Sequence, residues 1–312
     1  MTLIEFHNVS KQYRCHFWTP SLAVVSDLSF SVKEGKIAGF IGPNGAGKTT
    51  SLKMLMGLVR PTKGRLVLNG RDAGQPQSRK GIAFLSEQPY FYDHLTVLES
   101  ITFAYQLCGL PPAGAAREIA RALETVKLTD VNARKVKELS KGMQQRLNMA
   151  CALLGNPFLY ILDEPMSGLD PLGRTLFRTI FRDLARQGKT IFFSTHILDD
   201  IESLCDSIVV LAKGKLTYDG PIAPLLEKGF SGTDIAVRSL REEDRRSLSS
   251  MGYAVSGPFP GISSIFVPKD RQPRDVQQWL FEHGMFCESI ERRNESLETL
   301  LYGDVSAGAR IV

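Results

Sequence analysis

Gly42-Pro43-Asn44-Gly45-Ala46-Gly47-Lys48-Thr49 decides how this chain folds. The spacing is G-x-x-x-x-G-K-[ST], a phosphate-binding loop. Its glycines let the backbone wrap an anion without Cβ clashes, and successive amides turn inward toward it. Upstream, Ala38 to Ile41 is a compact apolar run, and downstream TTSLKMLMGL has helical spacing. Strand, loop and helix therefore follow in order, and the helix aims its N-terminus at the same anion. On this reading Gly42, Pro43, Asn44, Gly45, Ala46, Gly47, Lys48, Thr49 and Thr50 bind the phosphates of a nucleotide. Lys48 reaches the β and γ phosphates, and Thr49 places a hydroxyl on Mg²⁺.

The pattern around the loop is mixed. LIEFHNVSKQY and SDLSFSVKEGKIAGFIG alternate with period two, and RLVLNG and GIAFLS read as further short strands. From Thr96 to Leu154, LTVLESITFAYQL, AREIARALETVKL and MQQRLNMACALL carry apolar residues three and four apart, which is helical. Strand-like runs return in FLYILDE, KTIFFST and DSIVVLA, with RTLFRTIFRDLARQ as a helix between them. Strands alternating with helices predict a parallel sheet with crossovers. Near Gly220-Pro221 the pattern shifts to a small α+β module containing IAVRSL, SSIFVPKD, RDVQQWLFEHG and FCESIERR. The charge run Arg241 to Arg246 in that module reads as a solvated helix face.

A chain of 312 residues holds one large domain or two modest ones. With 43% hydrophobic and 23% charged residues it is neither disordered, collagen-like nor a coiled coil. The longest apolar stretch, Met149 to Leu162, is interrupted by Gly155, Asn156 and Pro157. Nothing approaches the roughly 18 apolar residues of a membrane span. MTLIEFHNVS lacks the basic and apolar regions of a signal peptide. Cys15, Cys108, Cys151, Cys205 and Cys287 are scattered without C-x-x-C, which suits reduced thiols. These features predict a soluble, intracellular chain. The net charge of +5 permits an anionic partner or a membrane surface and demands neither.

Two further stretches carry chemistry. Phe158 to Leu162 is an apolar strand ending in Asp163-Glu164, where the first acid can hold Mg²⁺ and the second can orient or deprotonate a water. Leu139-Ser140-Lys141-Gly142-Met143-Gln144-Gln145-Arg146 reads as a Ser-capped helix start, and such a start is also an anion site.

With these motifs in order, followed by Ser167-Gly168-Leu169-Asp170 and by His196 after an apolar strand, the chain resembles the nucleotide-binding subunit of an ATP-binding cassette (ABC) transporter. The resemblance covers about residues 1–220. It implies an α/β fold: a P-loop NTPase cassette with a RecA-like core, an antiparallel β subdomain and a helical subdomain, followed by a small C-terminal α+β module in 221–312. It implies ATP and Mg²⁺ as cofactors. Tyr13 would stack on adenine, Asp163 would support Mg²⁺, Glu164 would be the general base, and His196 would contact the γ-phosphate. Ser140 and Gly142 would contact the γ-phosphate of ATP on an opposite subunit, with Asp170 at the dimer interface. One copy of each motif per chain implies a second ATPase subunit, identical or a close paralogue, in a head-to-tail dimer. The resemblance also implies an integral-membrane permease as partner, no nucleic acid, and a peripheral place on the cytoplasmic face of the membrane.

Two departures stand out. The signature reads Ser140-Lys141-Gly142-Met143 where the family usually has two glycines and then Gln, a form that resembles the export-type branch. Alignment on Leu95-Thr96-Val97 places Glu87 at the family's usual glutamine, so either Glu87 or Gln88 takes that role near Mg²⁺. Ile290-Glu291 and Glu295 to Leu301 resemble the C-terminal extension of export-type members, a module for dimer contact or regulation. Phe17 and Trp18, in the long loop from Arg14 to Pro20, read as packing or loop residues. The alternative is a non-transport ABC ATPase acting on ribosomes or nucleic acid. Members of that class carry tandem cassettes or long coiled coils, and neither is found here.

Overall fold

Ile37 to Ile41 is buried at all five positions, as a strand covered on both faces must be. It is the third strand of a chain whose computed structural model describes residues 1–13, 21–238, 240–259 and 261–301. The loop from Arg14 to Pro20, with Cys15, Phe17 and Trp18, lies outside the described residues. The chain divides into two units, Met1–Ile222 and Ala223–Val312.

The first unit opens with β1 (Thr2–Tyr13), β2 (Leu22–Lys33), β3 (Ile37–Ile41), α1 (Lys48–Leu55), β4 (Lys63–Leu68), β5 (Arg71–Asp72) and β6 (Ile82–Leu85). It then turns helical, with α2 (Val97–Leu107), α3 (Ala115–Thr125) and α4 (Lys141–Ala152). It closes with β7 (Leu159–Leu162), α5 (Pro171–Arg186), β8 (Thr190–Thr195), α6 (Leu198–Leu204), β9 (Ser207–Ala212) and β10 (Lys215–Pro221). The six-stranded sheet has the order β10-β9-β3-β8-β7-β6. Its inner pairings are parallel, as the alternating pattern predicts, and β10 joins the edge antiparallel to β9. A separate antiparallel sheet has the order β2-β1-β4-β5.

An aromatic chain welds the two sheets. Phe6 of β1 stacks on Phe30 of β2 at 4.2 Å, Phe30 meets Phe40 of β3 at 5.7 Å, and Phe40 meets Phe192 of β8 at 5.3 Å. All four rings are buried, and burying each removes enough apolar area to stabilise the unit by roughly 1.5–3 kcal/mol. This core sets the strand ends that carry the functional loops. The helix after the phosphate loop is shorter than its apolar pattern: α1 stops at Leu55, because Gly57 takes φ +68 and the chain turns out of the helix.

The second unit contains α7 (Ala223–Lys228), β11 (Phe230–Arg238), α8 (Glu242–Ser250), β12 (Ala254–Phe259), β13 (Ile262–Pro268), α9 (Pro273–Glu282) and β14 (Cys287–Asn294). Its antiparallel sheet, β12-β13-β11-β14, has its own core around Ile235, Val237, Leu248, Ile265 and Leu280. The charge run is not wholly a solvated face, contrary to the sequence reading. Asp244 lies one turn before buried Leu248, is itself buried, and accepts a hydrogen bond from Arg241 Nε at 2.8 Å. Past β14 the chain is helical over 297–301; Ser296 Oγ accepts from Thr299 N at 3.1 Å, and Leu297 is buried.

Candidate nucleotide site

The loop between β3 and α1 is built on left-handed glycines: Gly45 has φ +80 and Gly47 has φ +102. A Cβ on Gly47 would sit 2.8 Å from Val24 O and 2.9 Å from Val25 Cγ2, so no larger residue fits. A Cβ on Gly45 would meet nothing within 4 Å, and glycine there serves the backbone conformation instead. Asn44 to Thr50 line a cleft of about 440 Å³, together with Glu87, Glu164 and His196. Lys48 is 6% exposed. Its Nζ donates to the carbonyls of Gly42 at 2.6 Å and Pro43 at 3.4 Å, and stands 3.5 Å from Glu164 Oε1.

Two acids follow the end of β7, of which Glu164 lines this cleft while Asp163, buried beside it in the chain, does not, and β8 organises them. The Ser194 hydroxyl, fully buried, donates to Asp163 Oδ1 at 2.6 Å and accepts from Glu164 N at 2.9 Å. Glu164 takes φ +45, a left-handed conformation that is unfavourable for a residue with a side chain. Its carboxylate lies between two basic groups, with Lys48 Nζ beside Oε1 and His196 Nδ1 at 3.0 Å from Oε2. Sequence reasoning missed Ser194. No local signal marks it; the parallel register of Ile161 with Phe192 and Leu162 with Phe193 sets Ser194 opposite Asp163.

The remaining sequence-derived residues divide. Glu87 lines the cleft, whereas Gln88 does not, and the Gln88 carbonyl accepts from Ser86 Oγ at 2.9 Å. Tyr13, at the end of β1, does not line the cleft either; its ring is 4.8 Å from Lys11 Nζ. Ser140 caps α4 and accepts from Met143 N at 3.2 Å. Asp170 caps α5 by accepting from Gly173 N at 2.9 Å, with Arg146 3.6 Å away. Gly142 packs beside the Gly168 carbonyl, and buried Gln145 donates to Pro165 O at 2.8 Å. The signature helix is thus tied to the segment that follows Glu164, a link sequence reasoning did not contain. Ser140, Gly142 and Asp170 do not line the cleft of their own chain.

The donor set suits a nucleotide with a hard cation. The loop amides and the Lys48 ammonium form a cradle for phosphate oxygens. Thr49, Asp163 and Glu87 offer oxygen donors, the chemistry Mg²⁺ prefers. Among the described residues no three His, Cys, Asp or Glu side chains cluster to hold a metal by themselves. That fits Mg²⁺, which keeps few protein ligands and shares its shell with substrate phosphates.

Loop, strand order and acid placement together define a P-loop nucleoside triphosphatase. The family model for ABC transporters matches residues 25–167. The ABC transporter ATP-binding protein YxlF of Bacillus subtilis, uncharacterised, is 33% identical over 95% of this chain and 97% of its own. The Nod factor export ATP-binding protein I of Burkholderia orbicola is 40% identical over 74% of this chain and 75% of its own. A solved ATP-binding subunit of an ABC transporter superposes with TM-score 0.65 at 32% identity, covering 72% of this chain and 92% of that one. The chain belongs to the ABC transporter family, as an ATP-binding subunit. It is accordingly an ABC-type ATPase that uses ATP with Mg²⁺. Among the described residues no helix is long and apolar enough to cross a membrane.

Proposed function

We propose that this subunit drives an export-type permease by closing head-to-tail on a second ATPase subunit around two ATP molecules. Residues 1–220 form the cassette on this reading, and 221–312 an accessory module for dimer contact or regulation. The observation that carries it is the Glu164 carboxylate, held at the mouth of the phosphate loop between Lys48 and His196. Export is supported by the likeness to the Nod factor export protein. A partner cassette is supported by Ser140, Gly142 and Asp170, which lie outside their own chain's cleft and need a facing copy to meet its ATP. The permease and the cytoplasmic membrane face follow from the family's way of working.

Each residue has a definite task. Loop amides from Gly45 to Thr50 bind phosphate oxygens. Lys48 exchanges its bonds to the Gly42 and Pro43 carbonyls for the β and γ phosphates. Thr49, Asp163 and Glu87 would hold Mg²⁺, which when bound neutralises charge on the phosphate oxygens. Glu164 takes the proton of the attacking water while the water oxygen bonds to the γ-phosphorus and the ADP oxygen leaves. His196, beside Glu164, steadies the charge that develops on the γ-phosphoryl group. Once phosphate oxygens draw Lys48 and His196 away, the carboxylate is freed to act as base.

Glu164→Gln tests the assignment, because it keeps the shape and removes the base. ATP binding should persist, steady-state hydrolysis should fall roughly 10²–10⁴-fold, and size-exclusion chromatography with ATP should show a two-subunit species. Hydrolysis at the normal rate would remove Glu164 as base.

A further inference from the structure

A second concavity shares no lining residue with the nucleotide cleft. Its inner part holds about 200 Å³ and its outer part about 590 Å³, and Glu118, Arg121, Asn156 and Gln187 line both. Its floor is Tyr160, in β7, the strand that leads to the paired acids. Leu159 and Ile161 enter the core between the sheets, so strand alternation sends Tyr160 to the opposite face. Tyr160 is 1% exposed, and among the described residues no hydrogen bond reaches its hydroxyl. Burial pushes its pKa up to about 12, with Arg121 close enough to pull the other way. It therefore remains a proton donor at neutral pH. The hydroxyl opens onto the inner cavity, where a ligand oxygen can accept from it.

The charges at the rim are unequal in availability. Arg117 and Arg121 lie one turn apart on α3, and among the described residues neither guanidinium makes an ion pair or hydrogen bond. The neighbouring acids are engaged: Glu118 Oε1 accepts from Gly155 N, and Asp183 Oδ1 pairs with Arg186 at 3.0 Å. Asn156 and Gln187 add amides, while Leu153, Ile180 and Leu184 supply apolar walls. Planar guanidinium forks match carboxylate and phosphate geometry.

We propose that the inner part of this groove binds a small oxyanion, a carboxylate or a phosphate, on the Arg121 guanidinium, with one oxygen accepting from the Tyr160 hydroxyl and Arg117 standing at the outer part. The site is independent of the nucleotide cleft and of the transport reading.

Isothermal titration of the full chain, free of nucleotide and Mg²⁺, tests this with succinate in one arm and inorganic phosphate in the other. A saturable site that persists in Lys48→Ala is expected for at least one probe, with a Kd below about 1 mM; the probe that fills that site identifies the anion class. Arg121→Gln and Tyr160→Phe should each weaken it about tenfold, and Lys48→Ala should leave it in place. Tyr160→Phe removes a single oxygen, and a melting temperature equal to or above that of the parent chain verifies that it folds. Binding lost in Lys48→Ala and retained in Arg121→Gln would put the anion in the nucleotide cleft and overturn the proposal. So would no binding of either probe at about 10 mM.

Discussion

Ser194→Ala isolates the bridge that holds the two acids. The hydroxyl lies 2.6 Å from Asp163 Oδ1 and 2.9 Å from Glu164 N, with Ser194 fully buried, so bulk water cannot replace it. A hydrogen bond to a charged acceptor contributes roughly 1.5–3 kcal/mol, and a stranded buried N–H costs roughly 1–3 kcal/mol. The two losses share one site and do not simply add, so the expected destabilisation is about 3 kcal/mol. For a unit the size of Met1–Ile222, at roughly 2–4 °C per kcal/mol, the melting temperature should fall by about 6–12 °C. A second readout separates the bridge from a general packing effect. Ser194 orients the carboxylate assigned to Mg²⁺, and losing such a support weakens metal affinity roughly 10–100-fold. The Mg²⁺ concentration for half-maximal ATP hydrolysis should rise by that factor, measured at a temperature where the variant is folded. A melting temperature within about 2 °C of the parent chain, with unchanged Mg²⁺ dependence, would refute the bridge.

Two other outcomes test separate parts of the structure. Glu87 lines the cleft and Gln88 does not, so Glu87→Ala should lower hydrolysis in the assembled transporter more than Gln88→Ala, and the reverse order would overturn the placement. Burial pushes the Cys151 thiol up to about 12 and the Cys205 thiol well above its ordinary value, whereas Cys287 is exposed. A maleimide at pH 8 should therefore label Cys287 before Cys151 and Cys205, as read by peptide mass mapping. Early labelling of Cys205 would mean that its surroundings open in solution.

Much of the architecture was legible because it is written in short stretches. IAGFI is apolar throughout, and it forms a strand covered on both faces. Ser140 stands at a helix start, and it caps that helix by accepting from Met143 N at 3.2 Å. The phosphate loop was legible for the same reason, since its glycines, lysine and threonine lie within eight residues. Where local pattern misled, a tertiary contact outweighed it. Asp244 looked like one more solvated charge, but the face it shares with Leu248 packs inward.

The amino-acid sequence by itself determined the order of strands and helices, the phosphate loop, the paired acids and membership of the ABC family. Each of these depends on residues close together in the chain. Only the tertiary structure decided that Ser194 joins Asp163 to Glu164 and that Gln145 reaches Pro165. It also decided that Glu87 faces the cleft and that Tyr160 faces a groove on the other side of its strand. These juxtapositions depend on the register of parallel strands joined by long crossovers. Burial of the Phe6, Phe30, Phe40 and Phe192 core, which draws on β1, β2, β3 and β8, helps to set this register.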